Sequence, residues 1–238
     1  AYYQRIRQIP EKNVIRLHFP AGKTALSVQE FEPIKAAIDR LTPNHIQAYA
    51  VAWTQPYRVG CMSMTSALAF GFDEKYCPAT CGPSAANPYF NTGSTYPFDD
   101  HKMRPAMMLA GERFDAVKAL IDRGVAADRT FPEGTAYLLN TSDKARSVRA
   151  GQFGIAKAEL GALLPIEEIE ADSITGLQDV LFYFTGLTQV PNLGTLKFWP
   201  GALADHLTSF GGQLTDSKQM SSLRWLEAGA TASYGTVT

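Results

Sequence analysis

The segment Asp179-Val-Leu-Phe-Tyr-Phe-Thr-Gly186 is the most strand-like in the chain, with apolar and aromatic side chains running between an acidic residue and a glycine. Ile46-Gln-Ala-Tyr-Ala-Val-Ala-Trp53 is a nearly continuous apolar run, the pattern of a strand covered on both faces. Strands of that kind need helices over them, and helical periodicities lie between the strand-like segments. Ser27 and Glu30 form a capping box ahead of Val28, Phe31, Ile34, Ile38 and Leu41, which recur at helical spacing. Alternating strand and helix argue for a mostly parallel sheet sandwiched by helices.

Along the chain, Tyr2 to Ile6 reads as the tail of a helix and Asn13 to Phe19 as an alternating strand ending at Pro20. A short helix is expected from Ser63 to Phe70, a strand from Pro105 to Ala110 and a helix from Arg113 to Ala127. Further strands are read at Thr135 to Asn140 and Ile166 to Glu170, and a glycine-interrupted helix at Asp143 to Leu160. Helices around Gly201 to Phe210 and Ser221 to Glu227 and a terminal strand from Gly229 to Thr238 complete the expectation. Residues 71 to 104 are rich in Pro, Gly, Asn, Asp and aromatic residues and read as one long irregular excursion, a kind of loop that is often functional.

At 238 residues, 45% hydrophobic and 19% charged, the chain can bury a sizeable core, which excludes disorder, collagen and coiled coil as the main state. No apolar run approaches the roughly 18 residues of a membrane span. The 22 Lys and Arg against 23 Asp and Glu leave no basic footprint for nucleic acid. The first residue is Ala, with no N-cap before the first helical spacings, and nothing caps the terminal strand. The expectation is a single α/β domain over residues 1 to 238, truncated at both ends, so the lack of a signal peptide does not argue for the cytoplasm.

Cys77 and Cys81 form a C-x3-C pair in a turn-rich stretch, while Cys61 stands alone. A local disulfide between Cys77 and Cys81, favouring an oxidising compartment, and two unpaired thiols both remain open. A zinc site built from close pairs wants a second pair, which is missing, so no metal is assigned.

Several motifs resolve into ordinary structure. Gly22-Lys23-Thr24 lacks the glycine a phosphate loop needs, since position 17 is Leu. Gly151 and Gly154 lack a G-x-G opening. Asp99-Asp100-His101 reads as a solvated turn rather than a cation site, and His18 and His45 as structural or exposed. Asp205, His206 and Ser209 are the best polar cluster. On a helix His206 and Ser209 share a face, and Gly211-Gly212 just beyond leaves backbone N–H groups available. His206 would then serve as base and Ser209 as nucleophile, against the plainer reading of a His and a Ser bridging a helix end.

Pro200-Gly-Ala-Leu-Ala-Asp-His-Leu-Thr-Ser-Phe-Gly-Gly212, then Trp225-Leu-Glu-Ala-Gly-Ala-Thr-Ala-Ser-Tyr-Gly-Thr-Val237, resembles a family of uncharacterised bacterial conserved hypothetical proteins. Tyr2 to Leu17 and Pro88-Tyr-Phe-Asn91 resemble it too, so the likeness runs through the chain. No reaction comes with it, but many members resemble exported proteins, which implies a periplasmic or extracellular home. A second resemblance is to caspase-like and gingipain-like cysteine peptidases, with Asp179 to Gly186 similar to their histidine-bearing strand and Ala228 to Gly235 to a later element. Leu187 stands where the catalytic His would follow, and Leu203 to Gly212 carries Ser209 but no Cys. Loss of both imidazole and thiolate removes that chemistry altogether.

The expected architecture is a three-layer α/β/α sandwich of caspase or gingipain type with a mostly parallel sheet. Its crevice would gather Gly186, Leu187, Gly211 and Gly212 beyond the strand ends, together with Tyr89 and Phe90 of the excursion. The expected function is a non-catalytic or degenerate peptidase-like domain binding a peptide, glycan or protein partner, with no cofactor. A Ser/His hydrolase and a structural subunit of a surface assembly are the alternatives.

Overall fold

The computed structural model describes residues 1–77, 82–131 and 133–238. It is a mixed α/β structure with parallel sheets and helices. Where the sequence suggested one domain with an insertion at 71–104, the contacts group into two compact units, residues 1–110 with 237–238 and residues 111–236.

The first unit opens with α1 (Tyr2–Ile6) and β1 (Ala25–Leu26), followed by α2 (Val28–Leu41). The capping box forms as expected, with the Glu30 N–H donating to Ser27 Oγ at 3.2 Å and the Ser27 N–H donating to Glu30 Oε2 at 2.9 Å. Then come β2 (Tyr49–Val51), β3 (Arg58–Val59), β4 (Met62–Ser63) and α3 (Met64–Phe70). Within the excursion a short helix, α4 (Pro97–His101), precedes β5 (Ala106–Met108). Strand β3 pairs in parallel with β1 and antiparallel with β4, while β2 and β5 form a separate parallel pair. Phe31 and Ile38 of α2 and Met64 and Leu68 of α3 join Leu26, Val51 and Val59 in one buried cluster.

Two strand expectations here are corrected. Residues 14–20 form no strand, although Ile15 and Leu17 still pack against the core. Alternating hydrophobicity supplies a face to bury, but a strand also needs a neighbour to bond. Of Ile46 to Trp53 only Tyr49–Val51 is paired, because its partner β5 is itself three residues long.

The second unit is built on α5 (Phe114–Ala126), β6 (Thr135–Asn140), α6 (Phe153–Leu160), β7 (Ile166–Glu170), β8 (Val180–Thr185), β9 (Phe198–His206) and α7 (Leu223–Ala228). The four strands lie in the order β7-β6-β8-β9 and are parallel throughout. Side chains of alternating parity serve two clusters. Tyr137, Leu139, Tyr183, Ala202 and Ala204 gather around Trp225 of α7. Ala136 and Leu138, with Phe182 and Phe184, gather around Phe153 of α6 and Ile166. That division is why β6 and β8 read as apolar at nearly every position.

The expected helix over Gly201 to Phe210 is instead β9 and the turn after it. Its register along β8 shifts between Val180↔Phe198 and Phe182↔Leu203, an irregularity that absorbs Pro200 and Gly201. The fully buried Ala202 and Ala204 leave room for the indole of Trp225, which also meets Tyr183 edge-on at 4.9 Å. The expected terminal strand reduces to one parallel bridge, Leu203↔Ala232. No helix among the described residues is long and apolar enough to cross a membrane.

Candidate functional site

In the second unit, the connections leaving β6 and β8 depart toward opposite sides of the sheet, which makes their carboxyl ends a topological switch point, where open α/β sheets bind ligands. The chain's own loop fills that point. Thr141 Oγ1 donates to the Gly186 carbonyl at 2.7 Å, and the Thr141 N–H donates to Ser147 Oγ at 3.0 Å. A Cβ on Gly186 would stand 2.2 Å from the Arg146 carbonyl, so this glycine permits a close backbone approach. Leu187 packs against the apolar core.

Polar groups crowd the loops just beyond. Ser142 donates to Asp172 through N–H at 2.7 Å and Oγ at 2.8 Å, and Arg146 Nη1 donates to Asp143 at 2.7 Å. Asp172 is held below the usual carboxylate range, first by the Ser142 backbone bond and then by the Ser142 hydroxyl. On the β9 side, Thr208 Oγ1 and the Phe210 N–H both donate to Gln219 Oε1 at 2.7 Å. Gln219 borders a depression of about 250 Å³ that also takes in Gln189, Gln213, Thr215, Ser217, Ser221, Lys218 and Arg224, the last ion-paired to Glu112 of the same lining and to Glu227.

The structure does not assemble the expected Asp205, His206 and Ser209 triad. Because they sit on a strand, Asp205 and His206 point to opposite faces. His206 is 2% exposed. Trp225 Nε1–H donates to its Nδ1 at 3.0 Å, and since an indole N–H can only donate, the ring proton resides on Nε2 and is given to the Met220 carbonyl at 2.8 Å. Both nitrogens are committed, and burial pushes the imidazole below its ordinary pKa, so it stays neutral. Ser209 is exposed in the following turn, where its carbonyl accepts from Thr236 Oγ1 at 2.6 Å. The expected i, i+3 pairing of His206 and Ser209 fails because that spacing juxtaposes side chains only on a helix.

Asp205, also 2% exposed, pairs with Arg149, whose Nη1 donates to Tyr234 Oη at 3.1 Å. Burial, and secondly the Asp205 charge, raise the Tyr234 phenol. The group is a structural ion pair between a buried carboxylate and a half-buried guanidinium rather than an acid awaiting a histidine. Asp179 is likewise structural, at the amino end of β8, where it accepts from Thr135 Oγ1 at 2.6 Å and Tyr137 Oη at 2.7 Å. Those two hydroxyls, Thr135 first, keep its carboxyl below the ordinary range.

Gly211 and Gly212 form no open amide cradle. The Gly212 N–H donates to the Thr236 carbonyl at 2.8 Å, and a Cβ on Gly212 would stand 2.3 Å from the Gly235 carbonyl. The three glycines are a tight crossing of two backbone segments. Tyr89 and Phe90 belong to the first unit, Tyr89 donating to the Ser94 carbonyl at 2.7 Å and Phe90 standing 73% exposed. The Cys77–Cys81 expectation is corrected for Cys77, which is bonded to Cys61 with 5.9 Å between Cα atoms. Cys81 lies outside the described residues. The turn joining β3 to β4 and the end of a 3-10 turn at Glu74–Tyr76 bring these sulfurs together, a proximity no local spacing encodes.

Sequence reasoning missed Arg149 and Trp225 as the partners of Asp205 and His206, and it missed Gln219. The available signal was the paired rule that buried ionisable groups need partners and buried indoles need acceptors. A comparison of the chain with family models, curated proteins and solved structures finds no match.

Proposed function

We propose that the chain is a non-catalytic, peptidase-like domain that binds a peptide, glycan or protein partner beyond the carboxyl ends of its parallel strands. On this reading the second unit is a three-layer α/β/α sandwich of caspase or gingipain type. The strand order β7-β6-β8-β9, parallel throughout, and the apolar clusters served by both side-chain parities support that assignment. The binding face is the row of amides and hydroxyls around Gln219, with Lys218 and the Arg224–Glu112 pair, which can exchange hydrogen bonds with peptide groups or sugar hydroxyls.

One observation supports the non-catalytic reading. His206, the histidine of the cluster that suggested catalysis, has both ring nitrogens bonded inside the core, where burial lowers its pKa. A general base needs a free nitrogen within reach of the proton it removes. The hydrolase alternative therefore draws no support from this geometry.

A periplasmic or extracellular home belongs to the same proposal, as does membership of an exported bacterial family. The Cys61–Cys77 disulfide supports the location, since such bonds persist in oxidising compartments.

The test is a broad hydrolase screen on the wild-type protein and Ser209→Ala, run beside peptide and glycan arrays on the wild type and Gln219→Ala. No turnover by either protein, with array binding that falls in Gln219→Ala, is the expected result. Turnover that disappears in a folded Ser209→Ala protein would overturn the reading.

A further inference from the structure

The first unit contains a recess of about 180 Å³ bordered by Lys35, Asp39, Tyr49, Phe98, Lys102 and Arg104. Arg104 is unusual for a guanidinium in being only 6% exposed. Three contacts set its plane: its Cζ lies 3.2 Å from the Phe98 ring centre and 5.8 Å from that of Tyr49, and its Nε donates to the Ile46 carbonyl at 2.8 Å. The Arg104 N–H is bonded to the Ala69 carbonyl at 3.1 Å, so the backbone beneath the side chain is anchored too.

Charge around the recess is unbalanced. Lys35 is neutralised by Asp39, with Nζ 2.6 Å from Oδ2. Lys102 Nζ donates to the Asp99 carbonyl at 3.1 Å and lies 5.4 Å from the Phe98 ring. Arg16, Lys23, Lys35 and Lys75 of this unit each pair with a carboxylate, and no such pair among the described residues reaches Lys102 or Arg104. Two positive charges therefore border one partly enclosed space, the buried Arg104 and the exposed Lys102, and a buried cation without a counter-ion is costly. An oriented guanidinium is suited to binding a planar or tetrahedral oxyanion through two parallel bonds.

At roughly 30 Å³ per water, the recess has room for about six waters, more than a lone carboxylate or phosphate group fills. Its remaining walls include Phe98, Tyr49, Leu68 and Ala69, which favour an apolar or aromatic body behind the charged head. The geometry points to a binding site for a small organic oxyanion, its carboxylate or phosphate held by Arg104 and Lys102 and its body against the aromatic walls. The site lies wholly within the first unit and is independent of the face around Gln219.

The experiment titrates the full chain at low ionic strength with phenyl phosphate, benzoate and inorganic phosphate, followed by calorimetry and by NMR shifts. Phenyl phosphate or benzoate is expected to bind at least about tenfold tighter than inorganic phosphate, and whichever of the two is tighter identifies the head group. Lys102 has a left-handed backbone, φ 55°, so Lys102→Asn is the variant that keeps the local fold. It should weaken binding about tenfold, and Arg104→Lys should weaken it further by removing the fork. Equal binding of all three anions would overturn the organic ligand. Failure of both organic anions to bind, or unchanged affinity in a folded Lys102→Asn protein, would overturn the site.

Discussion

The two units stabilise their backbones by different means. Strands of six, five, six and nine residues in the second unit bond to one another in a parallel sheet. Among its described residues the first unit has only strands of two or three residues, and such short ladders carry little by themselves. Side chains make up the difference there. The Cys61–Cys77 bond, the Ser27–Glu30 capping box and the stacked Arg104 each add a side-chain anchor beside these short strands. The contrast teaches that the same overall class can rest on backbone pairing in one place and on point contacts in another, with different sensitivities to substitution.

The largest expected effect is in the second unit. Trp225→Ala removes a fully buried indole, its edge-on contact with Tyr183 and its bond to His206, and should cost about 3–5 kcal/mol. Peptide-resolved hydrogen exchange should show β8 and β9 losing protection while α2 keeps its own. Equal loss across both units would break the comparison.

Replacing Cys61 and Cys77 with Ser opens a loop with a sequence separation of 16 and should cost about 3 kcal/mol. The deficit should appear in exchange around β3, β4 and α3. If reduction of the wild-type protein softens β6 to β9 first, the disulfide does not have the role given to it.

Gly186→Ala should cost about 1–3 kcal/mol, since the added methyl meets the Arg146 backbone, which has no rotamer to escape into. Urea midpoints would measure this, with Gly151→Ala, whose Cβ meets nothing within 4 Å, as the control.

The smallest effect is a pH slope. Burial holds His206 below its ordinary pKa of 6.5, so the unfolded chain binds a proton where the folded one does not. This contribution to stability is therefore present in full above pH 6.5 and is lost as pH falls toward the folded value. Urea midpoints compared at about pH 7.5 and about pH 5.5 should show the decline, and His206→Gln should flatten it. A wild-type protein equally stable at both values would show that His206 is not the neutral, buried group described.

Much of the secondary structure was legible. Ser27 and Glu30 sit three residues apart and cap their own helix, and the apolar runs of β6 and β8 announce strands buried on both sides. Residues 201–210 were misread because Ala202, Leu203 and Ala204 suit a helix locally, and only pairing with β8 makes them a strand. That single difference undid the catalytic expectation, since it turned Asp205 and His206 to opposite faces. The cationic recess left no local pattern either, because Lys35, Tyr49 and Arg104 come from separate elements.

From the amino-acid order alone came the alternation of buried strands with amphipathic helices, because caps and periodicities act over a few residues along one element. Tertiary structure alone decided that Trp225 and Met220 occupy His206, that Arg149 occupies Asp205 and that Cys61 takes Cys77. Those outcomes depend on which distant groups are brought within bonding distance, and a side chain's chemistry is set by such neighbours rather than by its position in the sequence.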